Sequence, residues 1–288
     1  MASQDKTAVK RASKLDYASV AFAALPFMGM ISFWQVFDGI VPLMLTNTFN
    51  LDNAATGVVM ALDNIFGLFL LPLFGILSDR CASKLGRRTP FIMAGSVVAA
   101  IAVPLIAVAN NMRSFPLLIA MILLTLLAIC SYRTMTVAVV ADITPRPLRT
   151  KADSIEKIVG YAGTGVMLVA ITLLVPDVEH PDYLPLFGLQ AAFILGSALL
   201  YFWRIREPQL VERMHEKSLE MRIEEAQIDP DDSPEAGGKQ RIQDPSVRLS
   251  IAMILAATFF YYMSYNAMTT NISRYADMFF GMAGGSYA

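Results

Sequence analysis

Long apolar runs, separated by short polar interruptions, dominate the pattern of this chain. Seven such runs lie at roughly 18–45, 53–78, 89–109, 115–142, 151–175, 184–204 and 248–270, with each end set to within a few residues. A helix needs about 20 predominantly apolar residues to cross the hydrocarbon of a bilayer. The pattern therefore predicts an all-α membrane protein with seven spans. The first, second, fourth and fifth runs exceed that minimum, which predicts tilt or projection beyond the bilayer.

The polar remainder divides the chain. Residues 1–17 read as a cytoplasmic tail and 18–204 as a six-helix transmembrane bundle. Residues 205–247 read as a linker, and 248–288 as a seventh helix with the start of a further, incomplete bundle. Within the linker, 207–228 combines Glu, Met, Leu and Arg at helical spacing and predicts an interfacial or cytosolic helix. Residues 229–245, DPDDSPEAGGKQRIQDP, are too polar to bury a core and predict disorder. In the fifth run, the small residues Gly160, Gly163 and Gly165 predict close packing on a neighbouring helix, with a moving hinge as the alternative reading. Pro42 predicts a loosened outer end of the first span.

Composition excludes most soluble classes. Of 288 residues, 55% are hydrophobic and 16% charged, with mean hydropathy +0.51; soluble domains carry about 25% charged residues. The formal net charge of −1 says little about partners, and no nucleic acid is expected among them. The two cysteines, Cys81 in a basic loop and Cys130 in an apolar run, suggest no disulfide framework. Both histidines, His180 and His215, fall outside the apolar runs. No metal-ligand cluster or nucleophile–base arrangement is legible inside the spans, so neither an enzyme nor a cofactor is expected.

Basic residues set the expected orientation. Lys6, Lys10, Arg11 and Lys14 precede the first span. Arg80, Lys84, Arg87 and Arg88 fill the loop between the second and third, and Arg146, Arg149 and Lys151 the loop between the fourth and fifth. The opposite loops hold Arg113 alone, and the loop PDVEHPDY before the sixth span is acidic. Short loops rich in Lys and Arg stay in the cytoplasm. The N-terminus is therefore expected inside, in a multi-pass protein of the plasma membrane.

Three ionisable residues sit well inside the runs: Asp38, Asp63 and Arg133. Each costs on the order of 3 kcal/mol if it faces lipid, so all three should border the bundle interior or a watery cavity. From the helix centres, Asp38 lies about 9 Å outward, Asp63 roughly 4 Å outward and Arg133 about 7 Å inward. Arg133 is thus expected to pair with Asp63. That leaves Asp38 the freer carboxylate and first-ranked proton carrier, with Asp63 second. Trp34, Gln35 and Asp38 share a helical face. An aromatic ring beside hydrogen-bonding groups suits a sugar, which offers C–H faces and many hydroxyls. A helix-packing face with an interfacial aromatic explains that trio equally well.

The stretch GILSDRCASKLGRRTP, Gly75 to Pro90, carries the strongest resemblance. A glycine, an Asp79-Arg80 pair and Gly86-Arg87-Arg88 resemble the loop between helices 2 and 3 of major facilitator superfamily transporters. Five intervening residues and the ending Arg-Arg-x-Pro-Phe resemble the glycoside–pentoside–hexuronide:cation symporter group, in its sucrose-transporter-like branch. Helix 4 and its exit, with Arg133, Asp142, Thr144-Pro145 and Arg149, resemble the same branch but depart from it at Asp153. The sodium site of melibiose-permease-type relatives is not matched, because Gly67 and Leu71 stand where its acidic pair would precede Pro72 and Gly75. The resemblance implies a six-helix N-terminal bundle, a linker and a seventh helix of a twelve-helix fold whose C-terminal half is missing here.

The implied activity is secondary active transport of a sugar or glycoside, coupled to a proton, by alternating access. The expected pathway residues are Asp38, Asp63, Arg133, Gln35 and Trp34, of which the resemblance itself implies a part for Arg133. The implied cytoplasmic gate comprises Gly75, Asp79, Arg80, Arg87, Arg88, Asp142 and Arg149. Asp79 would meet a helix of the C-terminal half, Arg87 and Arg88 would join a charge network, and Asp142 and Arg149 would form gate salt bridges. An exporter of drug-like or metabolite solutes is an alternative within the same class. A seven-helix receptor is an alternative of another class, disfavoured by an inside N-terminus.

Overall fold

The computed structural model describes residues 15–176, 178, 181–228 and 245–280. The cations Lys6 to Lys14, His180, the stretch 229–244 read as disordered and residues 281–288 lie outside that description. Seven helices among the described residues are long and apolar enough to cross a membrane. They are Leu25–Thr48, Asn53–Asp79, Thr89–Asn111, Phe115–Asp142, Arg146–Leu174, Leu184–Arg204 and Leu249–Thr269, termed here the first to seventh spans. No strand occurs among the described residues. The chain is a multi-pass helical membrane protein.

The first apolar run is two helices rather than one. Tyr17–Ala23 is capped by Asp16, whose Oδ1 accepts from the Ser19 amide at 3.2 Å. The chain bends at Ala24 into Leu25–Leu43, with Pro26 in the first turn, where a missing N–H costs nothing. Beyond Pro42 the helix widens into a π-turn, Met44–Thr48, and the Thr46 hydroxyl donates to the Pro42 carbonyl at 2.9 Å. The second span also breaks, at Ala61, between Asn53–Met60 and Leu62–Asp79. Asp63 therefore stands in the first turn of a helix segment, where the dipole favours an anion. The helix Pro245–Phe280 outruns the seventh apolar stretch at both ends.

The first span is the hub. It packs on the fourth, fifth, sixth and seventh spans. Of its most apolar stretch 72% is buried, against 6% for the second span. The third span packs on the fourth and sixth, and the second on the fourth. Small residues allow these approaches. Gly29 faces Ser197 and Ile194 of the sixth span, while Gly160 and Gly163 of the fifth face Phe27 and Met28 of the first. A buried polar bond also crosses the hub: Gln190 donates to the Gly29 carbonyl at 3.2 Å and to the Ser32 hydroxyl at 3.1 Å.

Residues 207–228 form the helix Glu207–Ile228, which follows the sixth span after a two-residue break. Its Leu210 packs on the core. Leu210, Met214 and Lys217 face Leu15, Val20 and Leu148 across a cavity of about 50 Å³. The helix thus lies against the end of the bundle that carries the basic loops, termed the basic end below.

Candidate functional site

The first, second and fourth spans bring Trp34, Asp38, Asp63 and Arg133 together, and Gln35 follows Trp34 on the first span. All five are half-buried, neither sealed in the core nor fully exposed. The Trp34 ring stands edge-on to Phe33 at 5.4 Å and to Phe37 at 5.7 Å, which fixes its plane. The Arg133 guanidinium carbon lies 5.3 Å from the centre of that ring, within cation–π reach. The buried indole N–H of Trp34 has no hydrogen-bond partner among the described residues.

The expected Arg133–Asp63 ion pair is not made: no contact within 4 Å joins them among the described residues. Two local interactions account for this. Arg133 is drawn to the aromatic face, and Asp63 Oδ1 is taken up by the Asn64 backbone N–H at 2.6 Å and its side-chain amide at 2.7 Å. Arg133 still attracts Asp63 at longer range, and Asp63 repels Asp38. The three ions are therefore coupled without being locked. Tyr265 of the seventh span lies within electrostatic reach of Asp38 and of Tyr161 of the fifth. Sequence reading missed both tyrosines, which look like ordinary interfacial aromatics in an apolar run.

A second constellation closes the basic end. Arg88, buried at the start of the third span, pairs with Asp79 at 2.8 Å and with Asp142 at 3.0 Å, and also donates to the Ser78 hydroxyl. One guanidinium thus ties the ends of the second, third and fourth spans. Asp79 finds its partner within this bundle, and Asp142 pairs with Arg88 rather than Arg149. The Arg149 side chain is exposed and donates to the Thr144 carbonyl at 3.3 Å. The side chains of Arg80 and Arg87 are exposed, and Gly75 is half-buried with open space where a Cβ would stand.

Glu207, missed in the sequence, completes this constellation. Its carboxylate accepts from the amides of Arg87 at 2.8 Å, Arg88 at 3.1 Å and Thr89 at 2.9 Å, and from the Thr89 hydroxyl at 2.8 Å. The Thr89 hydroxyl also meets the Tyr201 hydroxyl at 2.9 Å. A carboxylate at a helix N-terminus satisfies amides that have no partner within the helix and complements its dipole. Gly86, at φ 112°, lets the loop backbone lie against the Glu207 side chain, where a Cβ would collide.

With this geometry in view, comparison with known proteins decides the family. Residues 21–288 match the sequence model of the Major Facilitator Superfamily. The chain belongs to this superfamily. Membership places it among transporters rather than enzymes. Over 54 residues it is 48% identical to the sucrose transport protein SUC4 of Arabidopsis thaliana, a match covering 19% of this chain and 11% of that protein. Over 93 residues it is 32% identical to the sucrose transport protein SUT1 of Oryza sativa subsp. japonica, covering 31% of this chain and 17% of that protein. Over 64 residues it is 38% identical to the sucrose transport protein SUT3 of Oryza sativa subsp. indica, covering 22% and 13%. The matched segments thus span less than a fifth of each curated relative. No solved structure matches the chain.

Proposed function

We propose that this facilitator-family chain is the N-terminal part of a secondary active transporter that moves a sugar or glycoside together with a proton. The observation that carries the reading is the Asp38–Asp63–Arg133–Trp34 cluster, which gathers three coupled ions and a fixed aromatic face from three spans. The flat indole suits the C–H face of a sugar ring, and Arg133 beside it offers several N–H donors to hydroxyls. Asp38 is the proton carrier: a proton there removes its repulsion with Asp63, so loading changes the field that Arg133 and the solute feel. Similarity to sucrose transport proteins supports a sugar as the solute.

In this proposal the basic end faces the cytoplasm, the protein resides in the plasma membrane and a C-terminal half supplies the opposite wall of the pathway. Residues 18–204 act as one bundle and 205–247 as the link between halves. Arg88, Asp79 and Asp142 hold the cytoplasmic ends of the spans together while the pathway opens outward, and they part when it opens inward. The test is uptake of labelled sucrose and other glycosides by cells carrying the full-length protein, with and without a proton uncoupler. Accumulation that collapses with the uncoupler, and is abolished by Arg133→Ala while the protein still reaches the membrane, is the expected result. Unimpaired accumulation by Arg133→Ala rejects the role of Arg133, and accumulation insensitive to the uncoupler rejects proton coupling.

A further inference from the structure

A buried carboxyl group in the fifth span takes no part in either constellation. Glu156, seven residues after the start of the helix Arg149–Leu174, is 1% exposed, and its Oε1 has no hydrogen-bond partner among the described residues. It lines a cavity of about 330 Å³ between the fourth and fifth spans, walled by Val137, Val140 and Ala141 and bordered by Arg149 and Asp153. Water needs at least about 15 Å³ of such space, so the cavity beside the Glu156 side chain has room for several molecules.

The charges around Glu156 are already engaged. On its own helix, Lys157 pairs with Asp153 at 3.6 Å and lies 4.5 Å from the centre of the Phe27 ring. Arg149 donates to the Thr144 carbonyl. On the fourth span, Asp142 is held by Arg88 and Arg133 lies over Trp34. The first span and the short helix before it carry no ionisable side chain between Tyr17 and Asp38. On the sixth span, Tyr201 is bonded to Thr89, and Arg204 lies over the Phe22 ring. Lys157 and Asp153, the charges felt most by Glu156, act on it with opposite sign. Among the described residues no cation pairs with Glu156, and Lys151, on the same helix, is exposed; an unpaired buried charge takes up a proton rather than stay ionised.

We infer that Glu156 and its cavity form a proton-binding site at the basic end, separate from Asp38 and Asp63. A small turn of the side chain brings its carboxyl to the cavity, where hydronium gives it a proton and leaves as water; the reverse step returns the proton to cavity water. The neutral carboxyl satisfies the buried position with one bond to water, and the carboxylate exists only while water fills the cavity. The site stands whether or not the solute is a sugar.

Infrared difference spectroscopy of the 288-residue chain in lipid, between mildly alkaline and mildly acidic buffer, tests this directly. A carbonyl-stretch band of a protonated carboxyl should grow on acidification, be lost in Glu156→Gln and persist in Asp38→Asn. The same band should shift in deuterated buffer, because the cavity exchanges with bulk water. If Glu156→Gln fails to fold, Glu156→Asp should fold and keep the band at a displaced frequency. A band unchanged in Glu156→Gln, or one lost in Asp38→Asn instead, overturns the assignment. A band that resists deuteration overturns the role of the cavity.

Discussion

At the residue scale, one carboxylate and one guanidinium do most of the joining at the basic end. Glu207 accepts four N–H or O–H donors from the start of the third span, and Arg88 binds Asp79 and Asp142 from the second and fourth. Removing an acceptor from buried amides leaves them unsatisfied, so Glu207→Ala should lower stability by about 1–3 kcal/mol. Glu207→Gln should cost less, because one amide oxygen still accepts while its –NH₂ faces donors. Thermal denaturation of the purified chain in detergent reads both, and a melting point unchanged in Glu207→Ala would contradict the cap. Glu207 was illegible beforehand because its partners lie about 120 residues away and its Arg-Glu-Pro setting looks like an ordinary helix start. The failed Arg133–Asp63 pairing has a related cause. Depth along the helix axis, with arginine's reach, ranked Asp63 above Asp38 as the partner of Arg133, and Asp63 does feel Arg133. Which atoms touch was decided by closer groups, Asn64 for Asp63 and the Trp34 ring for Arg133.

At the element scale, the glycines of the fifth span separate packing from mere small size. Gly160 and Gly163 face Phe27 and Met28 of the first span, whereas nothing lies within 4 Å of where a Cβ on Gly165 would stand. Overpacking a close helix contact costs about 1–3 kcal/mol. Gly160→Leu should therefore lower the melting point clearly, and Gly165→Leu should leave it nearly unchanged or raise it through better helix propensity. Equal losses at both positions would mean that the fifth span does not rest on the first through this seam. The small-residue pattern was legible; which members faced a neighbour was not, because three glycines within six residues wrap round the helix. Span existence was legible for the plainest of reasons, since long apolar runs have few other solutions. The breaks at Ala24 and Ala61 fall at alanine inside long apolar runs, and the residues that mark them, Pro26 and the Asp63-Asn64 pair, come only two residues later. Glu156 was hidden by a polar helix start, KADSIEK, that reads as a solvated rim although one of its side chains turns inward.

At the scale of the whole molecule, the placement of charge ties architecture to direction. The basic loops converge on one end, where Arg88, Glu207 and the helix Glu207–Ile228 close the bundle. The other end carries Arg113 and the exposed Asp182, to which Asn111 donates at 2.8 Å. Asn111 holds the Asp182 carboxyl below its usual range, so Asp182 keeps its charge at neutral pH and adds to the acidity of that end. If the positive-inside rule governs insertion, Cys81, half-exposed in the second loop, faces the cytoplasm, and Met112, exposed at the opposite end, faces outside. The buried Cys130 would be replaced by Ala, leaving Cys81 as the single thiol, or Met112→Cys would be added after Cys81→Ser. A membrane-impermeant maleimide should then label Cys81 in inside-out vesicles only, and the thiol at position 112 in right-side-out vesicles only. Labelling of both from one face would break the alternation of spans, and the reversed pattern would put the N-terminus outside. That reversed pattern would place the Arg88 network away from the cytoplasm, and Glu156 would then exchange its proton with the external medium instead.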